Sequence, residues 1–254
     1  MGFTIEAACG SNVGKIRNNN EDNFFFDGKY MNMDNKGLEK PLFLRKTVER
    51  ELSCAVFDGM GGENFGEVAS FVAARNMKWR NVLPFGVADS PVQALERLVM
   101  WLNSAVVQAK SELQTNRMGT TMVSFRFSQW HVLISNVGDS RAYRLRNGEL
   151  TQLSVDHVER FFVRNSRKAP LTQHLGINPY DMIIEPHIRK ERLNDGDVYL
   201  LCSDGLTDML SDAEISRYLQ EYPNPTECVM QLIQSALDHG GRDNVTVIVC
   251  RVCE

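Results

Sequence analysis

Short apolar runs bounded by polar turns recur along this chain, while a helical period near 3.6 surfaces in only a few places. Runs rich in branched and aromatic residues predict strands at 3–9, 22–27, 51–57, 119–127, 130–137, 141–146, 149–154, 181–190, 197–203 and 244–252. Ser128-Gln129 and Asn147-Gly148 leave too little chain for a crossover helix, so neighbouring strands should pair mainly antiparallel. Ser90-Pro91 supplies an N-cap and a first-turn proline, after which Val92, Leu95, Leu98, Val99, Leu102, Val106 and Ala109 follow the helical repeat. Residues 64–82 predict a second helix, Ser211-Asp212-Ala213-Glu214 reads as a capping box opening a third, and 225–239 makes a fourth. An apolar sheet face has to be covered. About ten strands and four helices therefore fit an α+β fold of two stacked, mainly antiparallel sheets with a helix pair on each outer face, a four-layer α-β-β-α sandwich.

Composition narrows the picture. With 254 residues, of which 43% are hydrophobic, the chain can bury a sizeable core. The absence of repeats, low-complexity tracts and Pro/Gly/Ser-rich linkers favours one domain over 1–254. A net charge of −4 provides no basic field, which argues against nucleic acid and anionic membranes as partners. No apolar run approaches the roughly 20 residues of a membrane span, and the N-terminal residues lack signal-peptide order. Met1-Gly2 would suit acylation, but Glu6 stands where that motif wants Ser or Thr. The expectation is a soluble, cytoplasmic protein that acts as a monomer.

Cys9, Cys54, Cys202, Cys228, Cys250 and Cys253 include several inside apolar runs, which suits reduced, buried thiols. Cys250 and Cys253 sit three apart in a strand-like tail, a spacing that points them to opposite faces and argues against zinc. Residues 28–50 are a long link between two strands. Lys36-Gly37 could close a small hairpin there, with no function assigned to it.

Four acidic segments lie far apart: Glu21-Asp22, Asp58-Gly59 within Phe-Asp-Gly-Met-Gly-Gly, Ser203-Asp204-Gly205 and Gly241-Arg242-Asp243-Asn244. Two end an apolar run and two adjoin one, so folding could gather them at one end of a sheet. Facing carboxylates do not stay ionised without compensation, whereas hard divalent cations make such a cluster favourable. Taken singly, each segment reads equally as a turn, and Asp139 in Asn136-Val137-Gly138-Asp139-Ser140-Arg141 reads as a hairpin connection.

The combination decides between these readings. Arg17-x-x-x-Glu21-Asp22, Asp58-Gly59-Met60-Gly61-Gly62, Gly119-Thr120-Thr121, Asn136 to Arg141, Leu171-Thr172 with Leu175-Gly176, Ser203-Asp204-Gly205-Leu206 and Asp243-Asn244-Val245-Thr246 follow one another across the chain. In that order they resemble the metal-dependent protein phosphatases, the type 2C Ser/Thr phosphatase family, in its bacterial form. The resemblance implies the α-β-β-α sandwich and hydrolysis of phosphoserine and phosphothreonine by a water or hydroxide shared between two Mn²⁺ or Mg²⁺ ions. Asp58, Asp204 and Asp243 would hold one ion. Asp58, the Gly59 carbonyl and Glu21 would hold the other, and Asp139 with Asp204 a third, weaker one. Arg17 would grip the substrate phosphate, with Asp22 and Asn244 orienting the ligands. The implied substrates are phosphoproteins made by a Ser/Thr kinase.

Two features depart from the family pattern. Met60 occupies the place where some members carry a histidine proposed to protonate the leaving group. Residues 158–170 are shorter than the usual bacterial flap but carry Arg160, Arg164, Arg167 and Lys168, a solvated loop or a basic lip that docks phosphopeptides through Arg164, Arg167 and Lys168. His157 and His174 are expected to be structural. Alternatives are a binding module that keeps the sandwich without turnover and a phosphatase of small phosphorylated metabolites.

Overall fold

The computed structural model describes residues 2–49, 51–60, 65–78, 90–159 and 169–254. In its first half the chain runs β1 (Thr4–Asn12), β2 (Asp22–Phe26), β3 (Leu42–Thr47), β4 (Leu52–Met60), α1 (Gly66–Asn76), α2 (Pro91–Glu112), β5 (Gly119–Thr120) and β6 (Met122–Ser128). It continues through β7 (His131–Val137), β8 (Arg141–Arg146), β9 (Glu149–Gln152), β10 (His187–Arg192), β11 (Val198–Cys202), α3 (Asp204–Thr207), α4 (Asp212–Glu221), α5 (Pro225–Asp238) and β12 (Val245–Cys253). One sheet has the order β3-β1-β12-β11-β8-β9 and the other β10-β7-β6-β4-β2, with β5 paired to β4. Every pairing is antiparallel.

Alternation of side chains explains the layers. In β2, Phe24 and Phe26 enter the core between the sheets while Phe25 faces the α1/α2 layer, and β4 does the same with Cys54 and Val56 against Ala55 and Phe57. Between the sheets, the rings of Phe125 and Phe127 meet Tyr199 edge to face. On the far side, Ile215 and Leu219 of α4 and Cys228, Val229 and Leu232 of α5 cover Ala8, Leu200, Val247 and Val249. Capping starts the helices where the sequence indicated. Ser90 and Gln93 form a capping box before α2, and Ser211 and Glu214 form another before α4.

Some boundaries differ from expectation for identifiable reasons. Residues 42–47 form β3, which no run of buried residues announced because it is an edge strand, with Leu42 and Leu44 half-buried and Phe43 exposed. Lys36-Gly37 closes no hairpin, since Gly37 bridges to Asn12 instead. The stretch 119–127 breaks at Thr121, whose N–H and Oγ1 are both turned to the backbone of Asp58. Of 181–190, only the part from His187 onward is strand, and Tyr180 and Ile183 stand exposed. Helix α1 runs to Asn76, and of the expected helix at 64–82, residue 64 and residues 79–82 lie outside the described residues.

Candidate active site

Antiparallel neighbours bring the end of one strand beside the start of the next, and that is how distant acids meet. Asp58, near the end of β4, lies opposite Asp22 at the start of β2. Asp204 follows β11, Asp243 precedes β12, and Cys202 pairs with Val247 between them. Asp139 lies just before β8, whose Arg141 is the partner of Cys202. These ends open into one cleft of about 560 Å³ lined by Arg17, Glu21, Asp58, Gly59, Met60, Thr121, Asp139, Asp204 and Asp243, with Ile16, Asn18, Asn19, Ala169 and Leu171 on its rim.

Glycines permit the close approaches. A Cβ on Gly59 would stand 2.2 Å from the Gly66 carbonyl oxygen and 2.4 Å from that of Glu21, and one on Gly205 would stand 1.9 Å from the Asn244 oxygen. Backbone and side-chain bonds hold the rest. Gly59 N–H donates to the Glu21 carbonyl at 3.1 Å, and Thr120 Oγ1 donates to the Asp58 carbonyl at 2.9 Å. Asn244 ties two loops together: its Oδ1 accepts from Glu21 N–H at 2.7 Å, and its Nδ2 donates to the Val13 and Asn19 carbonyls, both at 2.9 Å.

Charge is concentrated and partly unsolvated here. Arg17 pairs with Asp243 through Nη2–Oδ2 at 2.7 Å, and that hydrogen bond holds the guanidinium above its ordinary pKa, assisted by Glu21 and Asp58. Burial pushes the Glu21 carboxyl upward, and the charge of Glu67 adds to this while Arg17 opposes it. Asp22 is buried, and desolvation lifts it to about 7 although Ser203 and Thr246 donate to it. Its Oδ2 accepts from Ser203 Oγ at 2.7 Å, while its Oδ1 has no partner among the described residues.

Among the described residues, no three acidic, His or Cys side chains are drawn close enough to form a finished ligand shell. The carboxylates share a cleft, with Asp243 drawn to Arg17. His157 and His174 are absent from the lining and engage backbone: the Nδ1 of His157 accepts from Gly138 N–H at 3.1 Å, and His174 Nδ1 lies 2.9 Å from the Leu175 carbonyl. Arg164, Arg167 and Lys168 lie outside the described residues. Sequence reasoning did not find Asn20, Ser203 or Glu67. Asn20 belongs to an Asn-rich tract that reads as a solvated loop, yet it is 1% exposed.

The protein phosphatase 2C family model matches residues 42–236. The serine/threonine phosphatase Stp of Listeria innocua is 32% identical over 93% of this chain and 91% of its own length. The crystal structure of the Mycobacterium tuberculosis serine/threonine phosphatase PstP superposes with a TM-score of 0.77 at 30% identity, covering 99% of this chain and 100% of that one. The catalytic domain of PstP in complex with two manganese ions gives 0.75 at 33% identity, with the same coverage of 99% and 100%. The stacked sheets and acid-lined cleft define a type 2C phosphatase, and the chain belongs to the protein phosphatase 2C family. Its activity is that of a serine/threonine protein phosphatase.

Proposed function

We propose that the cleft is a two-cation centre that hydrolyses phosphoserine and phosphothreonine in proteins. The observation that carries this reading is the lining, in which five carboxylates, Glu21, Asp58, Asp139, Asp204 and Asp243, accompany a single cation, Arg17, among the described residues. Such crowding of like charge is unfavourable unless hard cations take it up. An all-oxygen donor set without His or Cys suits Mn²⁺ or Mg²⁺ better than zinc. The unpartnered buried Oδ1 of Asp22 is a further acceptor beside it.

We assign Asp58, Asp204 and Asp243 to one ion and Asp58, the Gly59 carbonyl and Glu21 to the other, with Asp139 and Asp204 serving a third, weaker site. When bound, such a pair supplies an acidified water and neutralises phosphate charge. The chain's own residues do the rest. Arg17 spends one Nη on Asp243, and the remainder of its planar fork is suited to phosphate oxygens. Asp22 holds Ser203 and so the strand end that carries Asp204, and Asn244 fixes the backbone of Glu21. Thr121 is the only hydroxyl in the described lining, and its Oγ1 is committed to Asp58 N–H and Ser140 Oγ. With no Ser, Cys or His among the described lining residues, direct attack by water is the route the site supports. Met60 lines the cleft but offers no proton to the leaving oxygen.

The six cysteines are free thiols, five of them buried, which fits a reducing, cytoplasmic setting. No helix among the described residues is long and apolar enough to cross a membrane. One pair of stacked sheets across the chain fits a single domain, and substrates made by a Ser/Thr kinase fit the activity. The test is Mn²⁺-dependent phosphate release from phosphopeptides and p-nitrophenyl phosphate, with a chelator control. Asp58→Asn and Asp204→Asn should each abolish turnover with an unchanged far-UV circular dichroism spectrum. Substantial activity in both variants would refute the assignment.

A further inference from the structure

The loop that carries Arg17 and Glu21 has no ladder of its own, since residues 13–21 are irregular. Apart from backbone bonds at Lys15 and Glu21, its geometry rests on side-chain hydrogen bonds. Asn20 is the centre of these. Its Oδ1 accepts from Asp22 N–H at 3.3 Å, and its Nδ2 donates to Ser11 Oγ at 3.0 Å and to Asn35 Oδ1 at 2.9 Å. Ser11 Oγ passes the network to Thr246 Oγ1 at 2.9 Å, and the Thr246 N–H donates to the Ser203 hydroxyl that binds Asp22. A largely buried polar chain thus runs from Asn35, in the long link before β3, to Asp22, the neighbour of Glu21.

The same link grips the loop a second time. Lys36 Nζ donates to the carbonyl of Asn18, the residue after Arg17. The link is itself anchored: Asn35 Oδ1 also accepts from Gly37 N–H at 3.0 Å, Asn35 Nδ2 donates to the Asn32 carbonyl at 2.9 Å, and Leu38 N–H donates to the Ser11 carbonyl at 2.8 Å. Gly37 has a φ of 99°, and a Cβ there would stand 2.2 Å from the Ser11 oxygen, so the link presses directly on β1.

We infer that Asn35 and Lys36 are positioning residues, with Asn35 setting Glu21 through Asn20 and Lys36 setting Arg17 through Asn18. The inference rests on the two-cation reading of the cleft. Both Nδ2 protons of Asn20 are used, so truncating Asn35 leaves a buried donor without its acceptor and frees the loop to turn. Lys36 acts at the Arg17 end, where its loss loosens the phosphate grip and spares the cations.

The test is steady-state kinetics with p-nitrophenyl phosphate, together with calorimetric Mn²⁺ titration of chelator-stripped protein, for Asn35→Ala, Asn35→Asp, Lys36→Met and the exposed control Lys40→Ala. Asn35→Ala should weaken Mn²⁺ uptake and raise KM, each about tenfold, with kcat per folded molecule changed less than about threefold. Asn35→Asp keeps both acceptor roles of Oδ1, gives up only the donation to Asn32, and should recover most of the lost uptake. Lys36→Met should raise KM about fivefold while Mn²⁺ uptake stays within about twofold of the parent. A merely structural role would lower the melting temperature and the active fraction without moving KM or Mn²⁺ affinity, and that result overturns the inference. If Asn35→Ala does not fold, an unchanged KM in Lys36→Met or weak Mn²⁺ uptake in Asn35→Asp overturns it. Failure of the parent protein to take up Mn²⁺ overturns the two-cation reading itself, and the inference with it.

Discussion

Replacing Gly205 with alanine tests how the site is assembled, because it adds one methyl group and no charge. Gly205 follows Asp204, and its added Cβ would stand 1.9 Å from the carbonyl oxygen of Asn244, the residue after Asp243. Real Cβ contacts stay beyond 3.0 Å, so the two segments must separate by about 1 Å. The obstacle is backbone, which no rotamer change removes. Asp204 and Asp243 move apart, and a misplacement of about 1 Å in such a site costs about 10²-fold in rate. The fold itself should lose about 1–3 kcal/mol, as overpacking usually does. Kinetics on p-nitrophenyl phosphate at saturating Mn²⁺, normalised to the folded fraction from a thermal melt, separate the two effects. Gly196→Ala is the matched control: Gly196 has a φ of 79° with nothing within 4 Å of the added atom. It should cost about 1–2 kcal/mol of stability and leave kcat intact. If Gly205→Ala keeps parental kcat, close crossing of the Asp204 and Asp243 segments is not what sets the site.

Mn²⁺ at a hundred times its dissociation constant should stabilise the protein by about 2.7 kcal/mol, a rise of about 5 °C in melting temperature that chelator reverses and Asp58→Asn abolishes. No shift would show that the cleft takes up no cation in the folded state. Replacing Arg164, Arg167 and Lys168 together with alanine should raise KM for a phosphoprotein and spare p-nitrophenyl phosphate, and equal effects on both substrates would remove the docking idea. Glu214 is held below the usual carboxylate range by the hydroxyl and N–H of Ser211. Its depressed pKa adds stability that is present above the ordinary value of 4.5 and lost as pH falls through the folded value. Ser211→Ala should therefore flatten the melting temperature against pH below 4.5, and an unchanged acid limb would exclude the capping contribution.

The layers were legible because each interior strand is a local apolar run, as the three consecutive phenylalanines of β2 are. Strand β3 was not, because an edge strand needs only half a face, and Leu42 and Leu44 supply it on either side of an exposed Phe43. The break at Thr121 was equally hidden, since a backbone contact to Asp58, far away in sequence, causes it. In the site, the acidic segments were legible through their order and surroundings. The pairing of Arg17 with Asp243, 226 residues apart, and of Ser203 with Asp22, 181 apart, has no local signature. Nor has the burial of Asn20, whose neighbours Asn18 and Asn19 line the open cleft as a polar tract should.

The site is also where the fold gives up stability. Asp22 and Glu21 both sit above their ordinary pKa, so each is worse off ionised in the fold than in the unfolded chain. Gly59 and Gly205 contribute no side chain to the core and let backbone pass backbone next to an acid, while Gly66 leaves room for the Glu21 carboxyl. A protein selected for stability alone would fill these positions and neutralise these carboxylates. Keeping them is intelligible if the cost is recovered on binding cations. The same balance accounts for Arg17 on Asp243: it compensates one carboxylate through one Nη and leaves the rest of its fork for a phosphate, whose charge would in turn be met by the cations. Phosphate binding and cation binding should then strengthen each other, so inorganic phosphate should tighten Mn²⁺ uptake in the parent protein, and more phosphate should be needed for the same effect in Arg17→Ala.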